Sequence, residues 1–455
     1  MTNNSFFELS IEKIHEGYRS GEFTPTEIAY VCINRVKTFE PQCHAWVTFS
    51  PELLLDQAYK CESGLKNQRS LRQIEGIPIG IKDIFNTADF QTEMGSPIWK
   101  DFTPGNDARV VFYLRQQGAL IPGKTVTAEF AVHTLGKTLN PHDPLRTPGT
   151  SSSGSAVAVA TGMVPVAMGT QTAGSIVRPA SFCGIYGCKP SFGLIPRTGM
   201  LKTTDSLDTV GFFCLHYLDL KRIFNVIRVY GPDYPISHAA LMDKNRQAAP
   251  VKRPWKVAFT RTPVWDDAHP YAQKAILEWI QNLGDRCSGV AVHHVDLPHG
   301  VEEAHNIHAT IYNKTLSYYF KEEFSNDRLI SPIMKDLISE GNGITSSQYE
   351  SALRKQEHLE FRMNDVFKEY DIILSLSTAG EAPLRDEVER PDPALIWTLC
   401  HLPVISAPIF LSPAGLPFGM QIVAARYNDL KMFHFCNYLR DNDQIPECSN
   451  PRISS

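Results

Sequence analysis

The chain has no block of lysine or arginine that could follow a phosphate backbone: 44 basic residues stand against 49 acidic ones, a formal charge of −5 spread along its length. Nucleic acid is therefore not expected as a partner. Long apolar runs are also missing. The opening MTNNSFFELSIEKIHEGYRS lacks a secretory core, and the most apolar stretch, 156–168, is broken by Gly162 and Pro165, well short of the roughly 20 residues that span a bilayer. That stretch reads as buried interior, and no membrane association is expected. Ten cysteines lie scattered without a CxxC pair, in a chain too large to need disulfide staples, so a cytoplasmic setting is expected. HExxH, internal repeats, low-complexity tracts and linkers are absent too. At 455 residues and 43% hydrophobic content, residues 1–455 read as one large domain with no metal and no cofactor.

What is present sorts into four stretches of an α/β chain. Residues 5–65 carry helix signals, the strongest being Thr24-Pro25-Thr26-Glu27, a capping box with proline at the first helical position; Glu40-Pro41 is expected to end that helix. Residues 66–215 alternate apolar strands, helical segments and glycine-rich turns. Residues 216–370 are more polar and read as mostly helical, with a second capping box at Thr345. In 371–445, strand signals return at DIILSLS, LPVISAPIFL and GMQIVAA, which are expected to complete the same sheet.

The chemistry concentrates in the second stretch. In Ile77-Pro78-Ile79-Gly80-Ile81-Lys82 the period of two puts the isoleucines on one face and Pro78, Gly80 and Lys82 on the other. A lone lysine there is ordinarily a snorkelling surface residue. Buried beside hydroxyls, it would instead be a neutral base. Gly149-Thr150-Ser151-Ser152-Ser153-Gly154-Ser155 would be a flexible loop if nothing followed, but the small-residue helix AVAVATG behind it pins the loop against a sheet. In Gly169-Thr170-Gln171-Thr172-Ala173-Gly174-Ser175, small residues allow close backbone approach, and successive N–H groups from Thr172 to Ser175 could cradle an oxyanion. The plain alternative for Ser175 is a helix N-cap.

Lys82, the SSS run and the AGS turn, joined by DARVV, GKT, EFA and ASFCG, resemble the amidase signature family across nearly the whole chain, and most densely from Gly76 to Gly211. That resemblance implies a single-domain α/β/α fold, a large mixed twisted sheet with helices on both faces. It implies a triad of Lys82 as general base, Ser151 as a bridging serine at a cis peptide, and Ser175 as nucleophile, 24 residues beyond Ser151. The N–H groups of Thr172, Ala173, Gly174 and Ser175 would form the oxyanion hole. Ser152 and Gln171 would stand near the substrate, Ser152 and Ser153 supporting their loop, and Arg178 either orients substrate or braces the turn. Residues 300–325, Ser377–Leu384 and Trp397 would wall the pocket. The expected partner is a small amide, and the expected assembly is a homodimer or a pair with a small companion subunit.

The GTQTAGS turn is similar to that of bacterial amidases acting on small amides and ureido compounds, biuret-type hydrolases included. Thr150, Gln171 and Ala173 depart from the commonest pattern. The alternative within the family is the glutaminase subunit of a tRNA-dependent amidotransferase, which usually keeps an aspartate and two glycines where this chain has Gln171 and Ala173. Outside the family, Gly118-Ala-Leu-Ile-Pro-Gly-Lys124-Thr125 fits the P-loop pattern by letter. A P-loop follows a strand and opens a helix, whereas here 110–117 reads as helix and Ala119-Leu120-Ile121 as the strand. A non-catalytic binding protein is the other remote reading. His305, His308 and Tyr312 share one helix face and read as pocket lining or core.

Overall fold

The computed structural model describes residues 5–67, 70–229, 248–250, 253–326 and 328–449. Eleven strands are found among them: β1 (Trp46–Phe49), β2 (Ile79–Lys82), β3 (Gly123–Thr125), β4 (Val166–Gln171), β5 (Tyr186–Lys189), β6 (Thr209–Cys214), β7 (Trp255–Phe259), β8 (Val290–His294), β9 (Ile372–Leu376), β10 (Val404–Leu411) and β11 (Pro417–Val423). They form one sheet in the order β1-β3-β2-β4-β6-β5-β10-β11-β9-β7-β8. The centre is antiparallel from β4 to β9, while β2 runs parallel to both β3 and β4, and β7 parallel to β8 and β9. The strands that 371–445 contributes thus lie in one sheet with those of the 66–215 stretch, and the fold is a single α/β domain.

The N-terminal helices are α1 (Ile11–Ser20), α2 (Pro25–Cys43) and α3 (Pro51–Lys66). At the start of α2, Thr24 and Glu27 make the reciprocal capping bonds. Its end differs from expectation, because Pro41 does not stop it. Proline removes only its own N–H, and the last turn closes instead through His44 N–H on the Glu40 carbonyl at 3.0 Å. The Glu40 carboxylate also accepts from the amides of Ala45 and Trp46.

A second difference lies at the P-loop-like letters. After α4 (Arg109–Gln116), the strand is Gly123–Thr125, not Ala119–Ile121. Leu120 makes only an isolated bridge to Pro78, since Pro122 has no N–H to extend a ladder and pairing resumes beyond it. The stretch 216–370 also supplies β7 and β8 between its helices; its residues 230–247, 251, 252 and 327 lie outside the described residues. No helix among the described residues is long and apolar enough to cross a membrane.

Two helices carry the serine-bearing islands. α5 (Ser153–Ala160) is buried along its whole length. Small residues let it lie close: a Cβ on Gly154 would sit 2.3 Å from both the Ala45 carbonyl oxygen and the Val126 nitrogen. Each of its fully buried valines, Val157 and Val159, contributes about 1.5–3 kcal/mol by leaving water. α6 (Val177–Cys183) follows the turn that holds Ser175.

Candidate active site

Lys82 ends β2, fully buried, and β4 beside it carries Thr170 near its own end. The Nζ atom lies 2.6 Å from Ser151 Oγ, 2.9 Å from Thr170 Oγ1 and 3.0 Å from Ser152 Oγ. Ser152 spends its own proton on the Thr170 carbonyl at 3.2 Å, so it can only accept from the lysine. A neutral amine has two protons and one lone pair, which leaves the hydroxyl of Ser151 or Thr170 free to donate to that lone pair. Ser151 makes the shorter contact. Burial pulls the lysine well below its ordinary pKa, opposed only by the charge of Asp208.

The cis peptide implied at Ser151 is not found, all peptide bonds among the described residues being trans. A non-proline cis bond costs about 3–4 kcal/mol, and here the Ser151 hydroxyl reaches Lys82 on a trans backbone.

The segment Lys124-Thr125-Val126-Thr127 ties the lysine strand to the serine loop. On the lysine side, Asp83 N–H donates to the Thr125 carbonyl at 3.0 Å, and the Asp83 carboxylate forms a buried ion pair with Lys124, also at 3.0 Å. On the serine side, Thr127 Oγ1 donates to the Ser151 carbonyl at 3.1 Å and Gly154 N–H to the Val126 carbonyl at 3.1 Å. Thr125 and Ser155 hydroxyls meet at 2.7 Å. These bonds set the spacing between Lys82 and Ser151. Lys124→Met strands the Asp83 charge in the interior and is expected to lower the urea-unfolding free energy by about 3–5 kcal/mol. Adding Asp83→Leu should recover much of that loss, measurable by the same titration.

The turn 172–175 that holds Ser175 is tied down by its carbonyls and side chains. Thr172 O accepts from His308 Nε2 at 2.9 Å, Ala173 O from Thr398 Oγ1 at 2.6 Å, and Gly174 O from Arg178 N–H at 2.8 Å. Burial holds the His308 imidazole neutral, its pKa down to about 4. Thr172 Oγ1 donates to Asp208, a carboxylate that also takes the amides and hydroxyls of Thr203 and Thr204. Gln171, fully buried, accepts from the amides of Ile176 and Val177 and donates to Thr398. It caps the start of α6 rather than facing a substrate. The consequence is that the amides of Thr172, Ala173, Gly174 and Ser175 find no acceptor among the described residues. Unspent backbone donors in succession are groups of the kind that can hold a developing oxyanion.

Ser175 is 7% exposed. Its hydroxyl is not hydrogen-bonded to Ser151 among the described residues; such contacts commonly tighten only when substrate is bound. Ser152 belongs to the cage around Lys82, and Ser153 Oγ is buried with no hydrogen-bond partner among the described residues. Arg178 Nη1 is held between Glu389 at 3.0 Å and Asp392 at 3.1 Å. Glu389 also accepts from Thr150 Oγ1 at 3.1 Å, so the loop 385–392 is latched to both the serine loop and, through Arg178, α6.

A cavity of about 820 Å³ opens beside Ala173 and Thr150, lined in part by His305, His308, Tyr312 and Leu384. Trp397 does not reach it. On its five-residue helix, Leu395 faces the cavity while Trp397 is fully buried in the core. Thr170 and Thr172 lie inside the GTQTAGS turn, where the sequence already draws the eye. Asp208, Thr398, Glu389 and Asp392 carry no local sign of their place, since only the fold brings them to the turn.

The amidase family model matches residues 27–433. The chain belongs to the amidase family. It is accordingly an amide C–N hydrolase by family. Among curated relatives, a glutamyl-tRNA(Gln) amidotransferase A chain of Syntrophus aciditrophicus (strain SB) is 28% identical, covering 96% of this chain and 98% of the relative. Among solved structures, the inhibitor-bound vestigial complex connected with the origins of an s-triazine catabolic enzyme superposes with a TM-score of 0.86 at 22% identity, over 97% of this chain and 100% of that one. The corresponding glutamyl-tRNA(Gln) amidotransferase chain of Thermotoga maritima gives 0.79 at 24% identity, over all of both chains. These likenesses share the amidase fold.

Proposed function

We propose that this amidase-family protein hydrolyses the C–N bond of a small amide or ureido compound through an acyl-enzyme on Ser175. The observation that carries the reading is the fully buried Lys82 amine, 2.6 Å from the Ser151 hydroxyl, beside a turn with four unspent amides. Neutral Lys82 takes a proton from Ser151 as Ser151 takes one from Ser175. Ser175 Oγ then bonds to the carbonyl carbon, and the N–H groups of 172–175 hold the resulting oxyanion. The proton returns through Ser151 to the leaving nitrogen as the C–N bond breaks. Water, deprotonated by the same relay, releases the acid, so amide and water become carboxylate and ammonia or amine.

The curated relatives favour a second reading more than this one: ammonia release from glutamine by a protein working beside a companion chain. Ammonia release is to be measured on glutamine, aliphatic amides, aryl amides and ureido compounds, with a fluorophosphonate to label Ser175. Turnover only of glutamine, and only with a companion present, decides for the second reading. Absence of labelling in folded protein sinks both.

The same assay carries a pH prediction. The lysine must be uncharged to act, and its folded pKa is depressed by burial. Activity should therefore be low below that pKa, rise as pH passes up through it, and reach its plateau far below the range of a free lysine. A rise only near pH 10 would show that the Lys82 amine is not depressed by burial, and a profile left unchanged by Lys82→Ala would show that Lys82 is not the base.

A further inference from the structure

The cavity beside the oxyanion turn is larger and more apolar than a simple carboxamide or glutamine requires. About 820 Å³ lies within the range, roughly 300–1,000 Å³, of pockets that enclose drug-sized ligands. Its charged side chains are largely engaged in holding the wall together. Arg178 is matched by Glu389 and Asp392, Asp392 caps the Ala394 amide, Arg385 donates to the carbonyls of Gly136 and Thr138, and Arg390 to that of Asp267. Among the described residues two buried atoms of its lining stay unmatched, Arg178 Nε and His305 Nε2. Each can make one hydrogen bond, Arg178 Nε as a donor and His305 Nε2 as donor or acceptor according to its tautomer, which falls short of the paired carboxylate and ammonium of a free amino acid.

Part of the lining is aliphatic. Leu135, Ile333, Leu337, Leu384 and Val388 converge from separate segments of the chain. Leu135 is 36%, Ile333 43% and Val388 94% exposed. These aliphatic side chains line one cavity that borders Thr150 and Ala173, the neighbours of Ser151 and Gly174, and together they offer an apolar surface that a ligand can cover.

We infer that the amide this protein hydrolyses carries an apolar alkyl or aryl group, seated against Leu135, Ile333, Leu337, Leu384 and Val388. The inference rests on the serine-amidase reading above and names its substrate class. It requires no further reactant: the apolar carboxamide and water give the carboxylate and ammonia.

The test is ammonia release from the straight-chain primary amides acetamide to octanamide, with phenylacetamide and glutamine beside them. Over the shorter members, kcat/KM should climb about fourfold per methylene, the equivalent of roughly 0.8 kcal/mol for each buried CH2. Phenylacetamide should exceed glutamine by at least about tenfold. Ile333→Asp and Val388→Asp, at exposed positions where the fold tolerates charge, should each lower the octanamide-to-acetamide ratio by about tenfold while keeping the wild-type melting temperature. A flat series, or glutamine as the best substrate, overturns the inference and leaves the serine amidase standing if the fluorophosphonate still labels Ser175. Labelling without turnover of any member also counts against it. Failure to label removes the amidase reading, and the substrate class falls with it.

Discussion

Ser175→Ala is expected to lower kcat for amide hydrolysis by about five to six orders of magnitude, the scale seen when a serine nucleophile is removed from a working triad. Lys82→Ala should cost about 10²–10⁴ through loss of the general base. Lys82→Arg should fare no better, because a guanidinium stays protonated and offers no lone pair to Ser151. Combining Ser175→Ala with Lys82→Ala should add almost nothing to the first change, since a base has no task without its nucleophile. Single-turnover ammonia release measures all four variants, with thermal melts to confirm that each is folded. Wild-type turnover in Ser175→Ala and Lys82→Ala would refute the assigned roles.

Gly174→Ala is expected to produce the second large effect. A Cβ there would sit 1.7 Å from Asp392 Oδ2, and Asp392 cannot step aside freely because it is buried and pairs with Arg178 while capping Ala394. The clash must push the turn, moving the Gly174 amide away from the oxyanion position. We expect kcat to fall by about 10²–10³ and stability by about 1–3 kcal/mol. Adding Asp392→Gly makes room, and the double variant should be more stable than the sum of the single changes predicts. Additive losses in urea unfolding would show that the Gly174–Asp392 contact is not what restricts this position.

The legible parts of this protein are those governed by neighbours in the chain. Thr24 and Glu27 cap α2 from three residues apart, and Thr345 and Gln348 do the same later. The three C-terminal strands fall on short apolar runs and occupy residues 372–376, 404–411 and 417–423. The structure departs from the local pattern where a more distant bond outweighs it. Pro41 stays within its helix because His44 and Glu40 close the turn around it. The Lys124-Thr125 pair, which by letter ends a nucleotide loop, is a buried strand whose lysine neutralises Asp83.

The order of residues alone determined the candidate catalytic inventory: a lysine ending a strand, a serine run before a small-residue helix, and a serine in a glycine-bearing turn. Those features depend on local sterics and hydrogen bonding, which reach only a few residues. The tertiary structure decided that Lys82 lies next to hydroxyls 69, 70 and 88 residues away, that burial pulls its amine well below the ordinary lysine range, and that four successive amides stay unspent while His308, Thr398 and Gln171 engage the groups around them. Burial and electrostatics are properties of the assembled interior, and no window of the chain contains them.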